Sequence, residues 1–130
     1  MSDAELLRGR LRELDDVPYP GAVERIAAVM QGVELLVATE ESGSETVTHF
    51  TVGKDAYDRS WIYAYLDEAA LRRGTVAEQQ YSIFLFDDLV EIASANGFGG
   101  IIVDQFDGNS SALLPGDYFD LALAVLRAQG

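Results

Sequence analysis

Residues 96–109 read NGFGGIIVDQFDGN: a glycine cluster, a short apolar run, then two aspartates around another glycine. Three readings compete for it: a phosphate cradle, a metal loop, or the punctuation of a strand. A phosphate cradle needs the order strand, glycine loop, helix, because the helix N-terminus supplies the amides and the positive end of the dipole. Here GFGG follows a helical stretch and precedes the apolar run, so the order is reversed and the glycines turn the chain out of a helix. The run Ile101–Val103, set between turn signals, predicts a strand buried on both faces. After it, DQFDGNSSALLP has neither the alternating oxygen ligands nor the late glutamate of a calcium loop. Asp-Gly and Asn favour left-handed backbone, so DGNS reads as a turn. Asp104, Asp107 and Asn109 remain the candidate binding residues, as weak cation ligands or as ligand contacts at the carboxyl end of a strand with parallel neighbours.

Working outward, helical and strand periodicities alternate. Ser2 to Glu5 fits a capping box, and Leu7, Leu11 and Leu14 follow on one helical face. DDVPYPG (Asp15 to Gly21) stops that helix because proline cannot continue it. A second helix over Ala22–Gln31 buries Val23, Ile26, Ala27 and Met30, and Gly32 closes it. ELLVAT (Glu34–Thr39) is a buried strand. EESGSE and KDAYD are turns on either side of TVTHFTV (Thr46–Val52), which alternates as a strand does.

SWIYAYL (Ser60–Leu66) also alternates, with Trp61, Tyr63 and Tyr65 on one face. That stripe is read as facing the core, with an aromatic binding face as the alternative. DEAALRR is a short helix with an acidic start and a basic end. QYSIFLF is a strand to about Leu85, followed by a helix that buries Phe86, Leu89, Val90 and Ala93 and ends at Asn96–Gly97. The last helix is placed from near Pro115, with Phe119, Ala122, Leu123 and Leu126 inside. The fold class is therefore α+β: one domain over residues 1–130, a mixed β-sheet of about five strands packed with helices, and an N-terminal helical extension at about 2–31.

Composition narrows the functions. Nine basic against 22 acidic residues give a net charge of −13, and no Lys or Arg lies between Arg73 and Arg127. Such a surface repels nucleic acid and anionic membrane, since binding either requires neutralising phosphates. Arg8, Arg10 and Arg12, interleaved with acids and apolar residues, read as a solvated helix face rather than a basic stripe. Without cysteine there are no disulfides, thiolate zinc sites or cysteine nucleophiles. His49 is the single histidine, and no serine sits in a nucleophile elbow, so no catalytic residue, metal site or cofactor is assigned. Carboxylate pairs such as Asp87/Asp88 and Asp117/Asp120 fall in first turns of predicted helices, where the dipole favours them. No apolar run reaches the ~20 residues of a membrane helix, and the N-terminus lacks a secretory apolar region, so the expected location is cytoplasmic.

From Glu34 to Leu126 the chain resembles the N-terminal domain of the SseB (enhanced serine sensitivity) family. ELLVAT stands where that family has its early strand, IYAYLDEAAL where it has a strand running into a short helix, and GGIIVDQFDGNSSALLPGDYFDLAL where it has a strand and closing helix. The chain has YL where the family tends to have FT, and DQ where it tends to have NP. The resemblance implies a compact α/β domain without an established enzymatic activity, and it carries over no catalytic residue.

Two functional expectations follow. The first is a non-catalytic, acidic interaction domain that binds a protein partner, a basic one being the choice that charge suggests, in a chaperone-, regulator- or immunity-like role. The alternative is a small-molecule-binding or enzymatic domain that uses the Asp104–Ser111 loop. The oligomeric state is not readable from the sequence.

Overall fold

Helices α1 (Asp3–Arg12) and α2 (Gly21–Met30) lead into β1 (Glu34–Glu40), the short strands β2 (His49–Phe50) and β3 (Val52–Lys54), and β4 (Ser60–Tyr65). Then come α3 (Glu68–Gly74), β5 (Tyr81–Leu85), α4 (Phe86–Ala95), β6 (Gly100–Val103), β7 (Ala112–Pro115), one 3-10 turn (Gly116–Tyr118) and α5 (Phe119–Gln129). This computed structural model describes residues 2–40, 49–50, 52–54, 57–75, 79–107 and 109–129. The turns expected at EESGSE and KDAYD, and part of the TVTHFTV strand, lie outside the described residues.

The fold is α+β, with a single mixed sheet. Along its main path the strands run β2-β1-β4-β6-β7, while β3 pairs with β4 and β5 pairs with β1. Among the described strands β4 and β6 are parallel, in the register Ile62↔Ile101 and Ala64↔Val103, and the other pairings are antiparallel. The chain between β4 and β6 runs through α3, β5 and α4, as a parallel connection requires. No helix among the described residues is long and apolar enough to cross a membrane.

One face of the sheet carries the main core. Leu35, Val37, Ile62, Ala64, Ile101, Val103, Ala112 and Leu114 point at α2, α4 and α5, which contribute Val23, Ile26, Met30, Phe86, Leu89, Val90, Phe119, Ala122 and Leu126. All four expected residues of α4 and all four of α5 are buried there. Leu11 of α1 is 2% exposed in the same core, with Leu7 and Leu14 packed against it. Both N-terminal helices thus contribute side chains to the main core. Their caps follow the sequence: Ser2 Oγ accepts from the Glu5 amide at 3.2 Å, and Gly32 sits at φ +73° just past α2.

The opposite face corrects three expectations. Ile101 and Val103 are buried, but Ile102 is only half-buried, because α2, α4 and α5 all lie on the other side. The aromatic stripe also points away from the main core. Tyr65 is wholly buried there, with Ala38, Ala70 and Leu71 under α3, whereas Trp61 and Tyr63 are half-buried. The glycines of GFGG have two uses. Gly97 turns the chain out of α4 at φ +70°. Gly100 admits the Trp61 ring, which a Cβ at that position would approach to 2.5 Å. Bare sheet backbone under an aromatic ring is a recurrent use of strand glycine.

The last difference is β7. Ala112–Pro115 is an edge strand paired with β6 (Ile101↔Leu114), so Pro115 closes a strand and α5 begins only at Phe119. Its alternation is a bare four residues after a turn, too short to stand out from the loop around it.

Candidate functional site

Parallel strands β4 and β6 end side by side, and their carboxyl ends are where open α/β sheets tend to bind ligands. What occupies that position here is an ion-pair network. Asp104, the residue after β6, sits at φ +57°, a left-handed conformation that aspartate tolerates better than most residues. Its amide donates to the Ala64 carbonyl at 2.8 Å, which fixes the chain at the end of β4. Its Oδ1 accepts from the Leu66 amide at 2.9 Å, and its Oδ2 accepts from Arg8 Nε at 2.6 Å and from Ser111 Oγ at 3.0 Å. Arg8 reaches on to Asp67 Oδ2 at 3.2 Å, while Asp67 Oδ1 caps α3 through the Ala70 amide at 2.8 Å.

The network is largely shielded: the Arg8 and Asp104 side chains are 14% and 7% exposed, and Asp67 is 36% exposed. Burial opposes the Arg8 charge, but hydrogen bonds and attraction from Asp104 and Asp67 outweigh it and hold the guanidinium above its ordinary value. The Arg8 hydrogen bond, against the cost of burial and with help from the Ala70 amide, keeps Asp67 below the usual carboxylate range. One guanidinium thus ties α1, the β4–α3 junction and the end of β6 together, and the arrangement works as a latch.

The candidate residues are split by this geometry. Asp104 is drawn into the network, and both of its carboxylate oxygens are engaged. Asp107 and Asn109 lie on the exposed turn beyond it, where Phe106 and Asn109 exchange two backbone hydrogen bonds at 2.9 Å and Asp107 has φ +51°. The Asn109 side chain donates to the Asp107 carbonyl at 3.3 Å. No three His, Cys, Asp or Glu side chains converge among the described residues.

Arg8 is the residue that sequence reasoning placed wrongly, as a solvated member of the Arg8, Arg10, Arg12 run. A signal was present: Ala4, Leu7, Arg8 and Leu11 fall at i, i+3, i+4 and i+7, so Arg8 occupies a position in the inward stripe. Arg10 and Arg12 are exposed as expected. Together with Arg73, Glu5 and Glu13 they line an open groove of about 680 Å³ along α1. A smaller hollow of about 150 Å³ lies between the α1–α2 connection and β7, lined by Leu14, Val17, Tyr19, Ser111 and Leu113.

Beside the network, Tyr65 Oη and Arg8 Nη2 are buried with no hydrogen-bond partner among the described residues. Burial first, then the neighbouring Tyr63 and Asp104, push the Tyr65 phenol up from 10.0 to about 12. The folded state therefore holds the phenol's proton more tightly than the unfolded chain. Tyr65 contributes its full share of stability below pH 10, and that share is lost as pH rises from 10 towards 12. The loss amounts to about 2–3 kcal/mol. Tyr65→Phe should remove this alkaline limb and leave stability near neutral pH unchanged or higher by about 1 kcal/mol, since a buried unpaired hydroxyl is lost. Urea melts across the alkaline range check it; a loss of more than about 2 kcal/mol at pH 7 would mean the hydroxyl is bonded after all.

Comparison of the chain with protein-family models, curated proteins and solved structures finds no match in any of the three. The functional reading accordingly rests on the residues and their geometry.

Proposed function

We propose that this domain is a non-catalytic interaction module that binds a basic protein partner through its acidic surface. The supporting observation is the placement of charge. From residue 74 to residue 126 every Asp, Glu, Lys or Arg is an acid. Within that stretch Asp88, Glu91, Asp107, Asp117 and Asp120 are exposed, on α4, the turn after β6, the 3-10 turn and the start of α5. Glu91 meets Arg127 at 3.8 Å, but both side chains are more than half exposed, and such surface pairs contribute little. The field of this surface attracts cations and steers a basic protein towards it. Asp104, by contrast, is held in the latch, which weighs against a site built on the Asp104–Ser111 loop. Chaperone-, regulator- and immunity-like roles would all use an acidic surface of this kind.

The test is affinity capture from native extract on the immobilised chain, washed at low and high salt, beside an Asp88→Asn, Asp117→Asn, Asp120→Asn variant. The expected result is a basic partner held at low salt, released at about 0.5 M salt, where the Debye length is a few ångström, and weakened in the variant. Capture that ignores both salt and the substitutions would overturn the proposal.

A further inference from the structure

We infer that the hollow between the α1–α2 connection and β7 is a binding site for a small apolar ammonium compound, an alkyl- or arylalkylamine. It is separate from the acidic surface proposed above and does not depend on that reading. The hollow measures about 150 Å³, the size of cavity that takes one benzene ring. Its bottom is apolar and its mouth polar. Leu11, Ala22, Ile26 and Ala112 line it and are at most 9% exposed, whereas Asp15 and Ser110 in the same lining are exposed. Apolar walls with a few polar groups are the usual anatomy of a small-molecule site. The division also orients the ligand, since an uncharged end gains by leaving water and a charged end must stay in it.

Local sequence keeps the hollow open. Pro18 and Pro20 fix φ on both sides of Tyr19. The Tyr19 ring stacks on Tyr118, with centroids 5.3 Å apart and planes 13° from parallel. Its Oη donates to the Leu113 carbonyl at 2.8 Å. The connection is thereby braced against β7 and the turn before α5. Within the bottom, Ala22 and Ala112 are too short to fill the space.

Charge selects the occupant. Among the described residues Asp15 is the one charged member of the lining, and it takes part in no ion pair among them. Ser110 and Ser111 add hydroxyl oxygens, and Ser111 Oγ, which donates to Asp104 at 3.0 Å, keeps a lone pair to accept with. An ammonium group can donate to these oxygens, whereas a carboxylate or phosphate meets the Asp15 charge as a like charge. Arg12, close to Asp15 in sequence, lines the separate groove along α1 instead. A lysine from a protein partner would enter with its ammonium foremost, against the apolar bottom. The site therefore takes a free amine that enters by its apolar end.

The test uses the intact chain and three probes of similar shape: benzylamine, an ammonium ion at neutral pH, neutral benzyl alcohol and anionic benzoate. Amide shifts in NMR locate binding, and titration gives the Kd. Benzylamine should saturate with a Kd of about 1 mM or below and move Leu11, Ala22, Ala112 and Leu113. Benzyl alcohol should bind more weakly, and benzoate more weakly still. Asp15→Asn, at an exposed position, should weaken benzylamine roughly threefold to fivefold and leave benzyl alcohol unchanged. Ala22→Leu should fill the bottom and abolish binding of all three probes. Val17→Phe, which fills the hollow from its half-buried wall, gives the same reading if the first variant does not fold. Benzoate bound as tightly as benzylamine, or binding untouched by the filling variants, overturns the proposal. So does benzylamine that never saturates, or that moves only Asp88, Glu91, Asp117 and Asp120, where a cation merely gathers on the acidic surface.

Discussion

Arg8→Met should lower stability by about 3–5 kcal/mol, the cost of breaking a buried ion pair from one side. Methionine keeps the straight chain and the helix propensity, so the loss isolates the charge. Without Arg8, the Asp104 carboxylate, 7% exposed, keeps Ser111 and the Leu66 amide but no cation. Combining Arg8→Met with Asp104→Asn should cost much less than the sum of the single changes, because the second removes the charge that the first strands. The acid limb should change too. Asp67 has a lowered folded-state pKa, so its share of stability is present above the ordinary aspartate value of about 3.9 and is lost as pH falls below it. In Arg8→Met that acid-dependent share should shrink. Denaturant melts at neutral and acid pH measure both effects; a loss under about 1 kcal/mol would show the latch to be an ordinary surface pair.

Ile101→Asp should be the more damaging of two neighbouring changes, at a cost on the order of the domain's whole margin of about 5–15 kcal/mol. Ile101 is fully buried, flanked in register by Ile62 and Leu114, and faces the helices. Ile102 is half-buried between Tyr63 and the 40% exposed Leu113 on the open face. Ile102→Asp should accordingly cost about 1–2 kcal/mol and leave a folded protein. Thermal melts and soluble yield separate the two. If both variants collapse, the open face is covered in solution; if both fold, β6 does not run through the core.

The helices were legible in the sequence because each carries a full apolar stripe with its own stop signal, as in Phe86, Leu89, Val90 and Ala93 before Asn96–Gly97. The mixed sheet was legible from the alternation of SWIYAYL and the apolar run GGIIVD. Strand β7 was not, because ALLP offers too few positions for a period to show. Which sheet face is covered was not legible either: alternation reports that Trp61, Tyr63 and Tyr65 share a face, but not that α3 covers only Tyr65. In the candidate site, Asp104 was picked out by its place after an apolar strand, and its partner was hidden. Arg8 lies 96 residues earlier, and its pairing with Asp104 depends on how α1 packs against the sheet.

If recognition belongs to the acidic surface while the latch closes the carboxyl ends of β4 and β6, a polycation will be met by the first region and not by the second. An amide-resolved NMR titration of the intact chain with a lysine-rich polypeptide tests it most directly. Salt-sensitive shifts are expected at Asp88, Glu91, Asp117 and Asp120, with Leu66, Asp67, Asp104 and Ser111 unmoved. Shifts centred on Leu66, Asp67, Asp104 and Ser111, or no shifts at all at low salt, would contradict it.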